Sequence, residues 1–150
     1  MQETIVQLRQ ILDSYSPMFS NINDESWYHK PLPGKWSKSE ILGHLVDSAQ
    51  NNLRRFIVAQ YEENPVITYR QDDWVKLSAY ADYNREELVG LWLSLNRHIC
   101  VVLHAMPAPH YSRTCKTGQL HSIEWLAQDY VKHLLHHLHQ VLNLEPMPYS

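Results

Sequence analysis

Four of the ten histidines in this 150-residue chain fall within seven positions, in the stretch His133-Leu-Leu-His136-His137-Leu-His139. Apolar residues at helical spacing surround them and predict that the stretch from Trp125 to Gln140 lies on a helix. On a helix, residues four positions apart lie above one another on the same face. His133 and His137 therefore point the same way, and together they could bind one divalent metal ion.

Such a site needs a third ligand, since zinc and similar ions are commonly held by three protein groups with one position left open. His44 lies on the margin of the apolar face of another predicted helix, where it can reach the interior without being sealed inside it. The zincin motif His-Glu-x-x-His is absent, because Leu134 follows His133. The spacing leaves two interpretations open: a metal site of His44, His133 and His137, or histidines that hydrogen-bond at the core edge or lie on the surface.

Four amphipathic segments with apolar residues at helical spacing must position these histidines. The best defined of them opens with Ser37 and Glu40, which fit the Ser-x-x-Glu capping box. The predicted helices run from about Glu3 to Tyr15, from the Ser37 cap to about Tyr61, from about Arg85 to Ala105, and from about Ser122 to before Pro146. With no convincing strand and two long crossovers, they predict an all-α four-helix bundle that forms a single domain over residues 1–150.

The segments between these helices are expected to be mostly irregular. Residues Gln71–Leu77 predict a short helix in one crossover, and the stretch from His110 to His121 predicts a polar connector. Trp27 and Trp36 are interpreted as anchors packed on the bundle.

Composition and charge argue against several classes of protein. A formal net charge of −3 gives no strong attraction to nucleic acid or anionic membranes. Arg54 and Arg55 are expected to cover a solvated helix face or to pair with nearby glutamates. The chain has two cysteines, which form no Cys-x-x-Cys pair, no signal-peptide pattern, and no apolar stretch approaching the ~18 residues that span a bilayer. These features predict a cytoplasmic protein without nucleic-acid or membrane partners.

Three segments of the chain carry a resemblance to a known family. They are Pro33-Gly-Lys-Trp36-Ser37-Lys-Ser-Glu40-Ile-Leu-Gly-His44-Leu-Val-Asp47-Ser, Asn52-Leu-Arg54-Arg55-Phe56, and Asp129-Tyr130-Val-Lys-His133-Leu-Leu-His136-His137. In these segments the chain resembles the DinB/YfiT-like family of metalloenzymes. The resemblance implies an up-down-down-up four-helix bundle with a divalent ion held by three histidines. Carried over residue by residue, these are His44, His133 and His137, the same three that the spacing selects.

The resemblance also implies the kind of chemistry at such a site. Similar proteins include metal-dependent hydrolases, and transferases or isomerases that use a low-molecular-weight thiol. For this chain we therefore expect a small-molecule substrate. Three imidazoles suit Zn²⁺ and Ni²⁺ alike. A non-catalytic metal- or ligand-binding stress-response protein is the alternative, since the sequence identifies no general base or nucleophile beside the metal. A homodimer is implied as well.

Asp47 follows His44 by one helical turn and is the candidate for a supporting role. It could orient His44 or accept a proton from water at the metal, and a solvated helix carboxylate is the alternative. Further candidates for the wall of a site are Tyr130, Gln140, Asn96 and His98. His136 and His139 point away from the His133 and His137 pair and are expected not to be ligands.

Overall fold

Six α-helices make up most of the chain, of which the computed structural model describes every residue, Met1–Ser150. They are α1 (Gln2–Tyr15), α2 (Asp24–Tyr28), α3 (Lys38–Val58), α4 (Gln71–Leu77), α5 (Arg85–Ala105) and α6 (Ile123–Val141). The long helices α1, α3, α5 and α6 form the expected up-down-down-up bundle, in which α3 packs against α5 and α6, and α1 packs against the same two. The all-α prediction is confirmed, as is the short helix α4.

Helix α3 begins where the capping box predicts. The Glu40 backbone N–H donates to Ser37 Oγ at 3.2 Å, and the Ser37 backbone N–H donates to Glu40 Oε1 at 3.1 Å. Both N–H groups would otherwise lack a partner at the start of a helix. The register of α3 is thereby fixed from its first turn, seven residues before His44.

Helices α3 and α6 run antiparallel, so that the start of α3 lies beside the end of α6. At the start of α3, Lys38 Nζ donates to the Val141 carbonyl at the end of α6 and to Asn143 Oδ1 at 3.0 Å. One and a half turns into α3, the chain reaches the level of the histidines of α6. This alignment brings His44 beside His133 and His137.

A β-hairpin lies in the segment that the sequence predicted to be a polar connector without strands, and that prediction was wrong. Its strands are β1 (Thr114–Lys116) and β2 (Leu120–Ser122), with Cys115 opposite His121. Gly118 adopts φ 120° in the turn, a conformation that glycine reaches without strain. Each strand has only three residues, too few to show an alternating pattern in the sequence, and Cys115 of β1 is fully buried.

The α3–α5 crossover is tied to this hairpin by backbone hydrogen bonds. The Ile67 N–H donates to the Lys116 carbonyl at 3.0 Å, and the Lys116 N–H donates to the Pro65 carbonyl at 2.8 Å. The crossover and the hairpin therefore form one wall beside α3 and α6.

Helix α5 is long and apolar enough, by length and composition, to cross a membrane. The expectation that no stretch of the chain approaches this length was therefore wrong. Its residues Leu88, Trp92 and Ile99 are fully buried in the bundle core. A single such helix is weak evidence for a membrane span, because the core helix of a soluble protein has the same length and composition.

Gly43 allows Tyr80 to pack directly on the backbone of α3. A Cβ atom at position 43 would overlap ring carbons of Tyr80. Tyr80 is fixed in this place because its carbonyl accepts a hydrogen bond from Ser39 Oγ and its hydroxyl donates to Asp47 Oδ1, both at 2.6 Å. The segment after α4 is thus docked on α3 through one aromatic ring.

Gly43→Ala is expected to lower the free energy of unfolding by about 1–3 kcal/mol, because the added methyl group overpacks this contact. Gly90→Ala is the matched control, since Gly90 is exposed on α5 with no neighbour within 4 Å of an added Cβ. That variant is expected to gain about 0.5–1 kcal/mol, as alanine favours helices over glycine. Urea unfolding of the two variants and the wild type measures these changes in the free energy of unfolding. Changes of the same sign in the two variants would contradict the contact between Gly43 and Tyr80.

Candidate metal centre

The side chains of His44, His133 and His137 converge on one point between α3 and α6. One ligand atom from each lies within 4.8 Å of the other two. His44 Nε2 is 3.1 Å from His133 Nε2, and the ring centroids of the three pairs are 4.6 to 5.0 Å apart. Two imidazole nitrogens that bind one ion at ~2.0–2.1 Å stand roughly 3 Å apart, so this spacing fits a shared metal.

Burial keeps these imidazoles neutral. His44 is only 1% exposed, so the expectation that it is not sealed inside the protein was wrong. Its burial, with the nearby His137, lowers the pKa of His44 to about 4. Burial, together with His137, His44 and His136, lowers the pKa of His133 to about 3. A neutral imidazole offers the lone pair that a metal ion requires, so the donor set is ready for a ligand at neutral pH.

Two neighbours orient the histidine rings. Gln140 Oε1 lies 3.0 Å from His137 Nδ1, and because an amide oxygen only accepts, the ring carries its proton on Nδ1 and leaves Nε2 free. Trp36 packs on His44 with ring centroids 4.9 Å apart. The sequence interpreted Trp36 only as an anchor of the bundle, whereas it also contacts a residue of the centre.

Asp47 is buried and bonded to Tyr80, not to His44. It has no exposed surface, so it is not a solvated helix carboxylate. Its Oδ1 accepts the Tyr80 hydroxyl at 2.6 Å, while its Oδ2 and the His44 Nδ1 each lack a hydrogen-bond partner. Burial raises the pKa of Asp47 to about 6, although the hydrogen bond from Tyr80 acts in the opposite direction.

Asp47 gives the folded protein a defined pH dependence. Because its pKa rises from 3.8 to about 6 on folding, the native state binds more protons in that window, and stability falls as pH rises through it. We compare the free energy of unfolding of metal-free Asp47→Asn with that of the metal-free wild type. The difference, variant minus wild type, is expected to be more positive at roughly pH 7.5 than at roughly pH 4, by about 2 kcal/mol. Urea unfolding at the two pH values measures this, and a difference independent of pH would contradict it.

A cavity of about 500 Å³ opens beside the histidines. His133 and His137 line it, whereas His44 lies behind them and does not. The remaining walls come from α3, the crossover, the hairpin, α6 and the C-terminal segment, and include Ser48, Asn52, Arg55, Tyr69, Thr117, Trp125, Asp129 and Tyr149. A small molecule in the cavity can therefore reach the histidine cluster from the α6 side.

Two charged residues of the cavity were not identified from the sequence. Arg55 is half-buried in its wall, so the expectation of a solvated or glutamate-paired arginine was wrong, while its neighbour Arg54 is exposed. Asp129 lines the same cavity one turn before His133. Asp129 lies four residues before the candidate ligand His133, and this interval in the sequence does indicate that both face the same side of α6.

The C-terminal segment folds back along α6. His139 Nδ1 lies 2.7 Å from the Glu145 carbonyl, and His136 Nδ1 lies 2.6 Å from the Met147 carbonyl. Tyr149 packs edge-on against His133 with centroids 5.3 Å apart and donates from its hydroxyl to Asp129 at 2.9 Å. His136 and His139 thus hold this segment, and neither belongs to the group of three.

Of the other candidates from the sequence, Tyr130 lines the cavity, as expected. It is otherwise buried and donates from its hydroxyl to Asn96 Oδ1 at 2.6 Å, and Asn96 itself is buried in the bundle core. His98 is exposed on α5 and does not line the cavity. Of these, Gln140 alone contacts one of the three histidines.

Comparison with known proteins gives consistent results. A family model described as the DinB superfamily matches residues 7–141. A protein of Oceanobacillus iheyensis named "Putative metal-dependent hydrolase" is 30% identical over 130 residues, which cover 83% of this chain and 73% of that relative.

Two solved structures share the fold. YfiT from Bacillus subtilis, described as a probable metal-dependent hydrolase with an unusual four-helix bundle topology, superposes with a TM-score of 0.84 at 20% identity, covering 95% of this chain and 83% of YfiT. A mycothiol-dependent maleylpyruvate isomerase superposes with a TM-score of 0.78 at 15% identity, covering 97% of this chain and 62% of the isomerase. At these identities the likeness establishes the architecture alone.

Proposed function

Because the chain belongs to the DinB superfamily, we propose that it is a metal-dependent hydrolase of a small molecule, with one divalent ion held by His44, His133 and His137. The observation that carries this proposal is the convergence of the three imidazoles beside a cavity. Relatives named as metal-dependent hydrolases support the reaction class. Zn²⁺ and Ni²⁺ both suit a set of three imidazole ligands.

The residues around the cluster have separable tasks. A bound divalent ion supplies Lewis acidity, which polarises a carbonyl group and makes water a better nucleophile near neutral pH. Gln140 keeps the proton of His137 on Nδ1, and Trp36 packs on the ring of His44. The substrate enters through the cavity, where His133 and His137 face it.

Asp129 is the residue that we assign as proton acceptor. Its carboxylate lines the cavity on the same face of α6 as His133 and His137, at intervals of four residues. Tyr149 donates to Oδ2, which fixes the carboxylate and leaves Oδ1 without a hydrogen bond. A carboxylate in this position can take a proton from the attacking water, a task for which Asp47 lacks access to the cavity.

The proposal is tested by assaying the metal-loaded protein against ester, amide and lactone substrates before and after removal of the metal with a chelator. Hydrolysis that is lost with the metal and restored by Zn²⁺ or Ni²⁺ is expected. Hydrolysis that survives removal of the metal would contradict the mechanism.

A thiol-dependent transferase is the second candidate, favoured by the shared fold of the mycothiol-dependent isomerase. Assays that pair a low-molecular-weight thiol with an electrophile distinguish it from a hydrolase. Metal binding without turnover in either assay would instead support the non-catalytic binding protein.

A further inference from the structure

Arg55 is a half-buried cation in the cavity wall without a carboxylate partner. The ion pairs of the protein include Arg70 with Asp73 and Arg85 with Asp24, but none with Arg55. Burial has the largest effect on the pKa of Arg55 and lowers it, while Tyr69, Cys115, Asp129 and Tyr149 act in the opposite direction. A charge in such a place is costly unless something compensates it.

The guanidinium group is held in a fixed orientation. Its Nε and Nη2 donate to the Ile67 carbonyl at 3.2 and 3.0 Å, and its Nη1 donates to Asn52 Oδ1 at 3.2 Å. A guanidinium has five N–H groups, so two remain without an acceptor. The Tyr69 ring lies 5.9 Å from the guanidinium carbon. The contacts with Ile67 and Asn52 explain how Arg55 is positioned, but they supply no negative charge.

We propose that the substrate carries a carboxylate group and that Arg55 binds this group in the cavity wall. A planar carboxylate accepts two parallel N–H donors of a guanidinium. The cavity also contains the carboxylate of Asp129, so one cation and one anion face the ligand, a balance that suits a singly charged acid better than a phosphate dianion.

The cavity wall indicates the shape of this acid. Ser48 and Asn52 lie on this wall between His133 and Arg55. Ser48 Oγ is 3.5 Å from His133 Nδ1, and Asn52 contacts both Ser48 Oγ and Arg55. The substrate is therefore an elongated organic acid, with its reacting group at the histidine cluster and its carboxylate at Arg55. This inference rests on the proposed function, because it takes the cluster as the reacting end.

The test is a titration of the Co²⁺-loaded protein with hydroxamates of increasing chain length. Each hydroxamate ends in either a carboxylate or a carboxamide, and binding is monitored by the visible spectrum of Co²⁺. At the best length, the acid is expected to bind at least about tenfold more tightly than its amide. Arg55→Gln is expected to reduce that preference to below about threefold, while Arg54→Gln, on the exposed neighbour, retains it. Arg55→Lys, which keeps the charge without the two parallel donors, is expected to be intermediate.

Equal binding of acid and amide by the wild-type protein at every chain length would overturn the proposal. A preference for the acid that survives in Arg55→Gln would also overturn it. Failure to bind Co²⁺ would refute the proposed metal site instead. In that case the anion site is tested separately by NMR of the metal-free ¹⁵N-labelled protein. Glutarate is added to about 50 mM, a concentration well above a millimolar Kd. A shift of the Arg55 Nε–H signal, identified by its loss in Arg55→Gln, supports the carboxylate site, and no shift overturns it.

Discussion

Replacing His44 by alanine is expected to weaken Zn²⁺ binding by at least about 100-fold, since removing a mere hydrogen-bond partner of a ligand already costs roughly 10- to 100-fold. The expectation follows from the position of His44 Nε2, 3.1 Å from His133 Nε2 and buried behind the cavity. No other imidazole can replace it from α3, because His44 is the only histidine of that helix. Competition with a chromophoric chelator measures the affinity.

His98→Ala is the matched control for this variant. His98 is exposed on α5 and is not part of the group of three. Its replacement is expected to leave Zn²⁺ affinity unchanged. Circular dichroism of both metal-free variants shows whether the bundle still folds. An His44→Ala protein that folds and binds Zn²⁺ like the wild type would remove α3 from the metal site.

Asp129→Asn is expected to lower kcat for the hydrolysed substrate by about 100-fold or more, the usual contribution of a positioned general base. The amide can still accept the Tyr149 hydroxyl, so the shape of the cavity is retained. Metal content is expected to stay at the wild-type level, because Asp129 is not one of the three converging residues. Steady-state kinetics and metal analysis of the same sample measure the two properties.

Asp47→Asn separates the two candidate carboxylates. Asp47 is buried against Tyr80 and does not line the cavity. Its replacement is expected to change kcat by less than about threefold while changing the pH dependence of stability. The reverse result, with Asp47 essential and Asp129 dispensable, would contradict the assignment of the proton acceptor.

Local features of the sequence predicted the helices of the bundle and the shared face of His133 and His137, whereas the place of His44 beside them was implied by the family resemblance. The capping box at Ser37 and Glu40 fixed the start of α3, and the four-residue interval of His133 and His137 placed both on one face of α6. These signals lie within one or two helical turns, where sequence spacing translates directly into geometry. The start of α6 at about Ser122 was predictable for the same reason.

The cavity walls were not predictable, because they depend on contacts between distant segments. Arg55 faces the cavity because it binds the Ile67 carbonyl, and that crossover is itself held by Lys116 of the hairpin. Tyr149 reaches His133 only because the C-terminal segment folds back along α6. None of these contacts has a local sequence pattern, whereas the interval between Asp129 and His133 does.

The measurement that tests the metal site most directly is elemental analysis of the purified protein beside the His133→Ala, His137→Ala double variant. We predict close to one divalent ion per wild-type chain and almost none in the double variant, because the variant keeps only one of the three imidazoles. Circular dichroism confirms that the variant is folded. Equal, substoichiometric metal in both proteins would contradict the assignment of His44, His133 and His137 as the metal centre.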